Sequence, residues 1–103
     1  PAMRRDDPAG LILVVEDNAL TRLGTAAVIR TQADLELVGE ASDGPSALAE
    51  AQRLRPDLVV LDLKLPGLDG VEVARRLLAE PEPPRILVLS QYEGDESVMR
   101  ALQ

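Results

Sequence analysis

The amino-acid sequence predicts a doubly wound α/β fold, in which helices cover both faces of a parallel sheet. Short runs of Leu, Val and Ile alternate with longer stretches of helical periodicity, which is the pattern of βαβ units. The runs at residues 11–15 and 58–61 are continuously apolar, as is typical of parallel strands buried on both faces. Because Tyr92 is the only aromatic residue of the sequence, the core must consist of aliphatic side chains.

The first predicted strand is Leu11 to Val15, and the first helix follows directly. Asn18 or Asp17 can cap this helix by accepting a hydrogen bond from its first turn. The predicted inner face of the helix has helical spacing and consists of Leu20, Leu23, Gly24, Ala27 and Val28. Residues 1–10 show no periodicity, which indicates a disordered or tag-derived leader.

The second strand and helix follow at residues 35–54. Residues 35–41 alternate between apolar and polar, which predicts a strand with one wet side at an edge of the sheet. Asp43-Gly44-Pro45 turns the chain, and proline is favourable in the first turn of a helix. The predicted inner stripe of that helix is Ala47, Leu48, Ala51 and Leu54. Pro56-Asp57 ends the helix, and Asp57 is interpreted as a turn residue.

The central strand, Leu58 to Leu61, leads into Asp62, and Pro66-Gly67 and Asp69-Gly70 then predict turns. The predicted inner residues of the third helix are Val71, Ala74, Leu77 and Leu78, and those facing water are Glu72, Arg75 and Arg76. A fourth strand, Arg85 to Leu89, ends at Ser90, and residues 95–102 begin a fourth helix. This βαβαβαβα sequence implies right-handed crossovers and a flavodoxin-like strand order, 2-1-3-4.

Composition restricts the function classes. With 103 residues, the chain is expected to form one domain, and its net charge of −7 disfavours binding to nucleic acid or to anionic membranes. The sequence has no cysteine and no histidine, which excludes disulfides, thiolate nucleophiles, imidazole catalysis and the usual zinc ligands. Any metal must then be a hard cation held by oxygen. Neither a signal segment nor an apolar run long enough to span a membrane is found, so the expected localisation is cytoplasmic.

Acidic and hydroxyl residues collect at one edge of the predicted sheet. Glu16 and Asp17 follow the first strand, Asp62 follows the third, and Ser90 follows the fourth. In the order 2-1-3-4 the first and third strands are neighbours, which brings the three carboxylates close together. Such crowding is unfavourable unless a cation lies among them, and no basic residue is directly beside them in the sequence. The pattern favours an oxygen-ligated Mg²⁺ site over acids that simply end strands.

These stretches resemble the receiver domain of two-component response regulators. The similarity lies in Val14-Val15-Glu16-Asp17, in residues 58–70 around Asp62, and in Ile86-Leu87-Val88-Leu89-Ser90, and it covers about residues 11–103. The last stretch, which continues into Gln91-Tyr92, is most similar to regulators that carry a LuxR-type helix-turn-helix output domain.

The resemblance implies a role for each site residue. Asp62 matches the aspartate that takes a phosphoryl group from a histidine of a sensor kinase. The matched Mg²⁺ ligands are Asp17 directly, Glu16 through water, Asp62 itself and the backbone carbonyl of Lys64. Ser90 matches the hydroxyl residue that moves to bind the phosphoryl oxygen. The implied protein is a phospho-accepting switch rather than an enzyme, and it would control a DNA-binding output domain that is not in this sequence.

The sequence also departs from the family. Receivers continue into a fifth strand that ends in a lysine, and then a fifth helix, whereas this sequence stops before both and has Lys64 as its only lysine. We therefore expect a C-terminally incomplete receiver, 11–103, in which phosphorylation is weak, short-lived or absent. The fourth strand then has an unpaired edge, which predicts a homodimer or swapped oligomer through the fourth strand and helix.

Two alternatives remain open. A pseudo-receiver would keep the fold but act as an interaction or dimerisation module without phosphorylation. An aspartate-dependent phosphotransferase or phosphatase is the other alternative, although such enzymes usually have a second aspartate where this sequence has Lys64. For Tyr92, a switch position and a solvent-facing loop position both remain possible, and the loop position is the more common kind.

Overall fold

The computed structural model describes residues 10–89, which form a four-stranded parallel sheet with helices on both faces. The strands are β1 (Gly10–Val15), β2 (Leu35–Ala41), β3 (Leu58–Leu61) and β4 (Arg85–Val88). The helices are α1 (Ala19–Arg30), α2 (Gly44–Leu54) and α3 (Gly70–Leu78). The strand order is β2-β1-β3-β4, which confirms the predicted topology and edge position of β2. Ser90, Tyr92 and the predicted fourth helix lie outside the described residues.

The two central strands form the core of the sheet. Successive side chains point to opposite faces of a strand, so β1 and β3 supply two separate apolar layers. One layer contains Leu13, Val15, Val59 and Leu61, which pack against α2 and α3. The other contains Ile12, Val14 and Val60, which pack against Ile29 of α1. The predicted burial of β1 and β3 on both faces is therefore confirmed.

The predicted inner face of α1 is wrong. Every residue assigned to that face is exposed: Leu20, Leu23, Gly24, Ala27 and Val28. The helix buries Ala26 and Ile29 instead, whereas Leu20 is 77% exposed. Since α1 carries apolar residues on more than one side, their spacing alone does not identify the side that packs on the sheet.

The inner faces of the other two helices are nearer to the prediction. In α2, Ala47 and Ala51 are buried and Leu48 and Leu54 pack against the same core, so the predicted stripe is confirmed. In α3, the buried residues are Gly70, Val73 and Leu77, while Val71 and Leu78 are exposed. The prediction is therefore confirmed for Leu77 and for Ala74, which packs against the core, and it is wrong for Val71 and Leu78.

Asp57 connects three strands at the amino end of the sheet. Its carboxylate Oδ2 accepts a hydrogen bond from the N–H of Leu11 at 2.8 Å. Its own N–H donates to the Leu11 carbonyl at 2.8 Å, and its carbonyl accepts from the N–H of Arg85 at 2.9 Å. Asp57 therefore does more than turn the chain, because it links the starts of β1 and β4 across β3.

Candidate metal centre

Three carboxylates meet at the carboxyl edge of the two central strands. Glu16 and Asp17 directly follow β1, and Asp62 directly follows β3. Each of the three residues offers a carboxylate oxygen, and these oxygens lie within 4.8 Å of one another. The N–H of Asp62 donates to the carbonyl of Val15 at 3.0 Å, so the last residues of β1 and β3 are level. The structure thus brings together the three side chains that the sequence pattern singled out.

Glu16 is the buried member of this cluster, with 9% of its surface exposed. Burial, together with the carboxylates of Asp62 and Asp17, raises the pKa of Glu16 to about 7. The N–H of Asn18, which donates to Glu16 Oε2 at 3.1 Å, opposes this shift in pKa. Near neutral pH, the cluster therefore favours either a bound proton or a bound cation.

Asn18 connects the turn after β1 to the start of α1. Asn18 is the N-cap of α1, and its Oδ1 accepts from the N–H of Thr21 at 2.9 Å. Asn18 thus takes the capping role that the sequence assigned to either Asn18 or Asp17, and Asp17 is an exposed member of the acidic cluster.

Arg22 contacts the main chain of this turn, and the sequence pattern did not single it out. Its Nη1 donates to the carbonyl of Glu16 at 2.6 Å, and its Nε lies 3.3 Å from Glu40 Oε1 on β2. In the sequence, the only indication of this contact is an arginine on the predicted helix, six residues after Glu16. The apolar spacing predicted the wrong side of α1 as the packed side, so it did not place Arg22 near the sheet.

Three glycines shape the loop after Asp62. The N–H of Gly70 donates to the carbonyl of Leu63 at 3.1 Å, and a Cβ on Gly70 would lie 2.5 Å from the Cα of Leu63. The N–H of Gly44, at the start of α2, donates to the carbonyl of Pro66 at 3.2 Å. Gly67 has a φ of +83°, a conformation that glycine adopts without strain. The predicted turns therefore also fix the path of this loop beside α2.

Of the remaining predicted site residues, Lys64 is described by the structure and Ser90 is not. The N–H of Lys64 donates to Asp62 Oδ1 at 3.1 Å, and Lys64 is exposed. Strand β4 brings the chain to the same edge, since the N–H of Leu89 donates to the carbonyl of Leu61 at 2.9 Å. Ser90 is the next residue and lies outside the described residues, so its role stays a prediction.

The side chains of the cluster suit a hard divalent cation. All three donors are carboxylate oxygens, and at 4.8 Å or less they are close enough to share one ion. Mg²⁺ prefers oxygen ligands and typically keeps several waters, so a few carboxylates suffice to hold it. A cation at this point would also relieve the repulsion between the carboxylates, which adds to the effect of burial in raising the pKa of Glu16.

The fold and this acidic cluster together define the class of response-regulator receiver domains. The comparison with protein families agrees, because the model of the response regulator receiver domain matches residues 12–103. The chain belongs to this family. Receiver domains in general are signalling switches that interact with sensor histidine kinases and bind Mg²⁺ in an acidic pocket.

Individual relatives extend the comparison to transcription regulators. The chain is 35% identical over 92 residues to the transcriptional regulatory protein LiaR of Bacillus subtilis, which is 89% of this chain and 44% of LiaR. The solved receiver domain of the response regulator NarL from Mycobacterium tuberculosis has a TM-score of 0.85 and 32% identity, covering 94% of this chain and 78% of that one. A solved LuxR-family response regulator from Aurantimonas has a TM-score of 0.82 and 30% identity, covering 91% of this chain and 67% of that one.

The chain thus spans less than half the length of LiaR. In residues 10–89, no helix is both long and apolar enough to cross a membrane.

Proposed function

We propose that this chain is the phospho-accepting receiver domain of a two-component response regulator, with Asp62 as the acceptor. The observation that carries the proposal is the gathering of the Glu16, Asp17 and Asp62 carboxylates within 4.8 Å at the ends of β1 and β3. The donor would be a phosphorylated histidine of a sensor kinase. An oxygen–phosphorus bond forms at Asp62, the nitrogen–phosphorus bond of the donor breaks, and the freed imidazole takes up a proton from water.

The chain's own residues prepare Asp62 for this transfer. Glu16, Asp17 and Asp62 would hold Mg²⁺, with the backbone carbonyl of Lys64 as a further ligand, and the ion would supply charge neutralisation for the incoming phosphoryl group. The Lys64 N–H, which donates to Asp62 Oδ1 at 3.1 Å, orients the carboxylate for in-line attack. Ser90 would bind a phosphoryl oxygen through its hydroxyl group. No imidazole or thiol is needed, because the reaction depends on positioning and electrostatics.

The consequence of phosphorylation would be a change in protein contacts rather than turnover of a substrate. The net charge of −7 disfavours direct DNA binding by this chain, so a separate LuxR-type output domain would carry out DNA binding. The similarity to the transcriptional regulator LiaR over 44% of its length supports this arrangement.

Phosphorylation in vitro tests the proposal. The protein is treated with acetyl phosphate and Mg²⁺, or with a beryllofluoride mimic, and the product is followed by intact mass. Asp62→Asn should abolish the modification, whereas Asp34→Asn, at an exposed aspartate in the turn before β2, should leave it intact. Undiminished modification of Asp62→Asn would overturn the assignment. A wild-type protein that binds Mg²⁺ but takes no phosphoryl group would favour the pseudo-receiver alternative.

We further propose that the chain self-associates through β4. In residues 10–89 this strand pairs with β3 alone, and Leu87 and Leu89 are each 44% exposed. Both line a groove of about 260 Å³ together with Val28 and Ile29 of α1 and Val60 of β3. A strand that has one neighbour among the described residues, beside exposed apolar side chains, favours pairing with a second copy.

A further inference from the structure

The guanidinium group of Arg22 makes two contacts, one to a main-chain carbonyl and one to a carboxylate. Its Nη1 donates to the carbonyl of Glu16 at 2.6 Å, and its Nε lies 3.3 Å from Glu40 Oε1. The side chain of Arg22 is 24% exposed. Arg30 approaches the other oxygen of Glu40 at only 3.9 Å and is 60% exposed. The two arginines therefore share one acidic partner, but Arg22 also donates a hydrogen bond to the turn that carries Glu16 and Asp17.

Both polar groups of the Glu16 main chain are held by contacts that lead to β2. The N–H of Glu16 donates to the carbonyl of Ala41 at 2.9 Å, and the carbonyl of Glu16 accepts from Arg22. Arg22 in turn is anchored on Glu40, the residue before Ala41. The main chain of Glu16 is therefore tied to the carboxyl end of β2 through both of its polar groups.

We infer that Arg22 is a positioning residue for the acidic cluster: it sets the geometry in which Glu16 and Asp17 receive a cation. This inference rests on the proposed function. Carboxylates that repel one another must be held in place if they are to bind a small ion, and a charge-assisted hydrogen bond from a guanidinium is well suited to this. Arg22 acts through the Glu16 carbonyl and takes no part in the phosphoryl transfer itself.

Mg²⁺ titration of four variants tests the inference, with calorimetry as the readout. Arg22→Ala should raise the Kd for Mg²⁺ about 10-fold, the lower end of what the loss of a residue supporting a metal ligand costs. Arg22→Lys keeps the charge but not the two-point contact and should fall between wild type and Arg22→Ala. Glu40→Gln should also weaken Mg²⁺ binding, because it loosens the anchor of Arg22. The matched control is Arg30→Ala, which should leave the Kd within about twofold.

Urea unfolding of the same variants, in EDTA and in saturating Mg²⁺, separates positioning from general stability. We expect Arg22→Ala to lose part of the stabilisation that Mg²⁺ gives to the wild type, whereas Arg30→Ala keeps it. If Arg22→Ala does not fold, Glu40→Gln and Arg22→Lys decide the outcome.

Unchanged Mg²⁺ affinity in the folded Arg22 and Glu40 variants would overturn the inference, as would an equal loss in Arg30→Ala. These results would leave the proposed function intact. A wild-type protein that binds no Mg²⁺ would instead overturn the proposed function, and the inference with it.

Discussion

The main-chain N–H of Asp62 donates a hydrogen bond to the carbonyl of Val15, 3.0 Å away. Val15 precedes Glu16, so this bond places Asp62 beside the acidic pair of the neighbouring strand. The register of β1 and β3, in which Val15 pairs with Leu61, thus sets the relative height of the three carboxylates. Because the strands determine this arrangement, conservative substitutions of the three side chains should change the chemistry of the site without displacing it.

Substitution of the two acidic residues after β1 should have unequal effects on Mg²⁺ affinity. Asp17→Asn should weaken Mg²⁺ binding more than Glu16→Gln, because a direct ligand contributes more than one that acts through water. Each substitution replaces one carboxylate by an amide of similar size, so the two variants are matched in shape. Isothermal titration measures both affinities. Equal losses would mean that the two roles are wrongly assigned.

The stability of the metal-free protein should fall as the pH rises from about 5 to about 7.5. Burial and the neighbouring carboxylates raise the pKa of Glu16 from 4.5 to about 7, so over this range the folded state retains a proton that the unfolded state has released. Below the unfolded pKa both states are protonated and the penalty vanishes. The midpoints of urea unfolding, measured in EDTA at a series of pH values, test this expectation.

Glu16→Gln is the control for this pH dependence. Glutamine does not titrate, so the variant should show a flatter profile across the same range. The lowered pKa values of Asp43, Glu50 and Glu72 act at lower pH, below their ordinary values of 3.8 to 4.5. A wild-type midpoint that rises across the range, or an equal slope in Glu16→Gln, would contradict the assignment.

Asp57→Ala should destabilise the fold while leaving Mg²⁺ affinity unchanged. It removes the carboxylate that accepts from the Leu11 N–H at 2.8 Å, at the end of the sheet opposite to the acidic cluster. We expect a loss of about 0.5–1.5 kcal/mol in the free energy of unfolding, which is the usual contribution of one such bond. Urea unfolding checks this, with Asp34→Ala as the control. Loss of Mg²⁺ binding in folded Asp57→Ala would contradict the separation of the two ends.

Two glycine-to-alanine substitutions should change stability in opposite directions. In Gly44→Ala the new Cβ would lie 2.4 Å from the Cβ of Leu68 and 2.8 Å from its carbonyl oxygen, so the loop after Asp62 must shift. We expect a destabilisation of about 1–3 kcal/mol and slower phosphorylation of Asp62. Gly24→Ala meets no atom within 4 Å on α1 and should stabilise the protein by about 0.5–1 kcal/mol. Thermal unfolding and acetyl phosphate assays measure both effects, and normal phosphorylation of Gly44→Ala would show that the loop tolerates the shift.

A charge introduced on β4 should reduce the proposed self-association. Leu87→Glu places a carboxylate at the apolar groove between β4 and α1, where pairing with a second copy would bury it without a partner. Leu78→Glu, at a 55% exposed leucine on α3, is the matched control. Light scattering over a range of concentrations should show fewer dimers for Leu87→Glu only. A wild-type protein that stays monomeric at high concentration would contradict the proposed use of this edge.

The sequence sufficed for the topology and for the acidic cluster because both follow from short local patterns. Continuous apolar runs that end in Glu16-Asp17 and in Asp62 specify buried parallel strands whose carboxyl ends meet at one edge. The contacts of Arg22 and Asp57 were out of reach, because each joins segments whose relative placement no local pattern encodes. The prediction of which side of α1 packs on the sheet failed for a related reason. Val28 and Ile29 are equally apolar, and only the three-dimensional arrangement buries Ile29 and leaves Val28 exposed.

The close approach of Gly44 to Leu68 makes the two sides of Asp62 mechanically unequal. On one side, the loop at residues 63–70 is wedged against the start of α2, with no room for even a methyl group at Gly44. On the other side, β4 borders the apolar groove, and in the part of the chain that the structure describes it pairs with β3 alone. If Asp62 is phosphorylated as proposed, the packing of Gly44 against Leu68 would resist a displacement of the loop towards α2. Among the described residues, the side of Asp62 that faces β4 lacks this close glycine contact, so a displacement of the chain would be easier there.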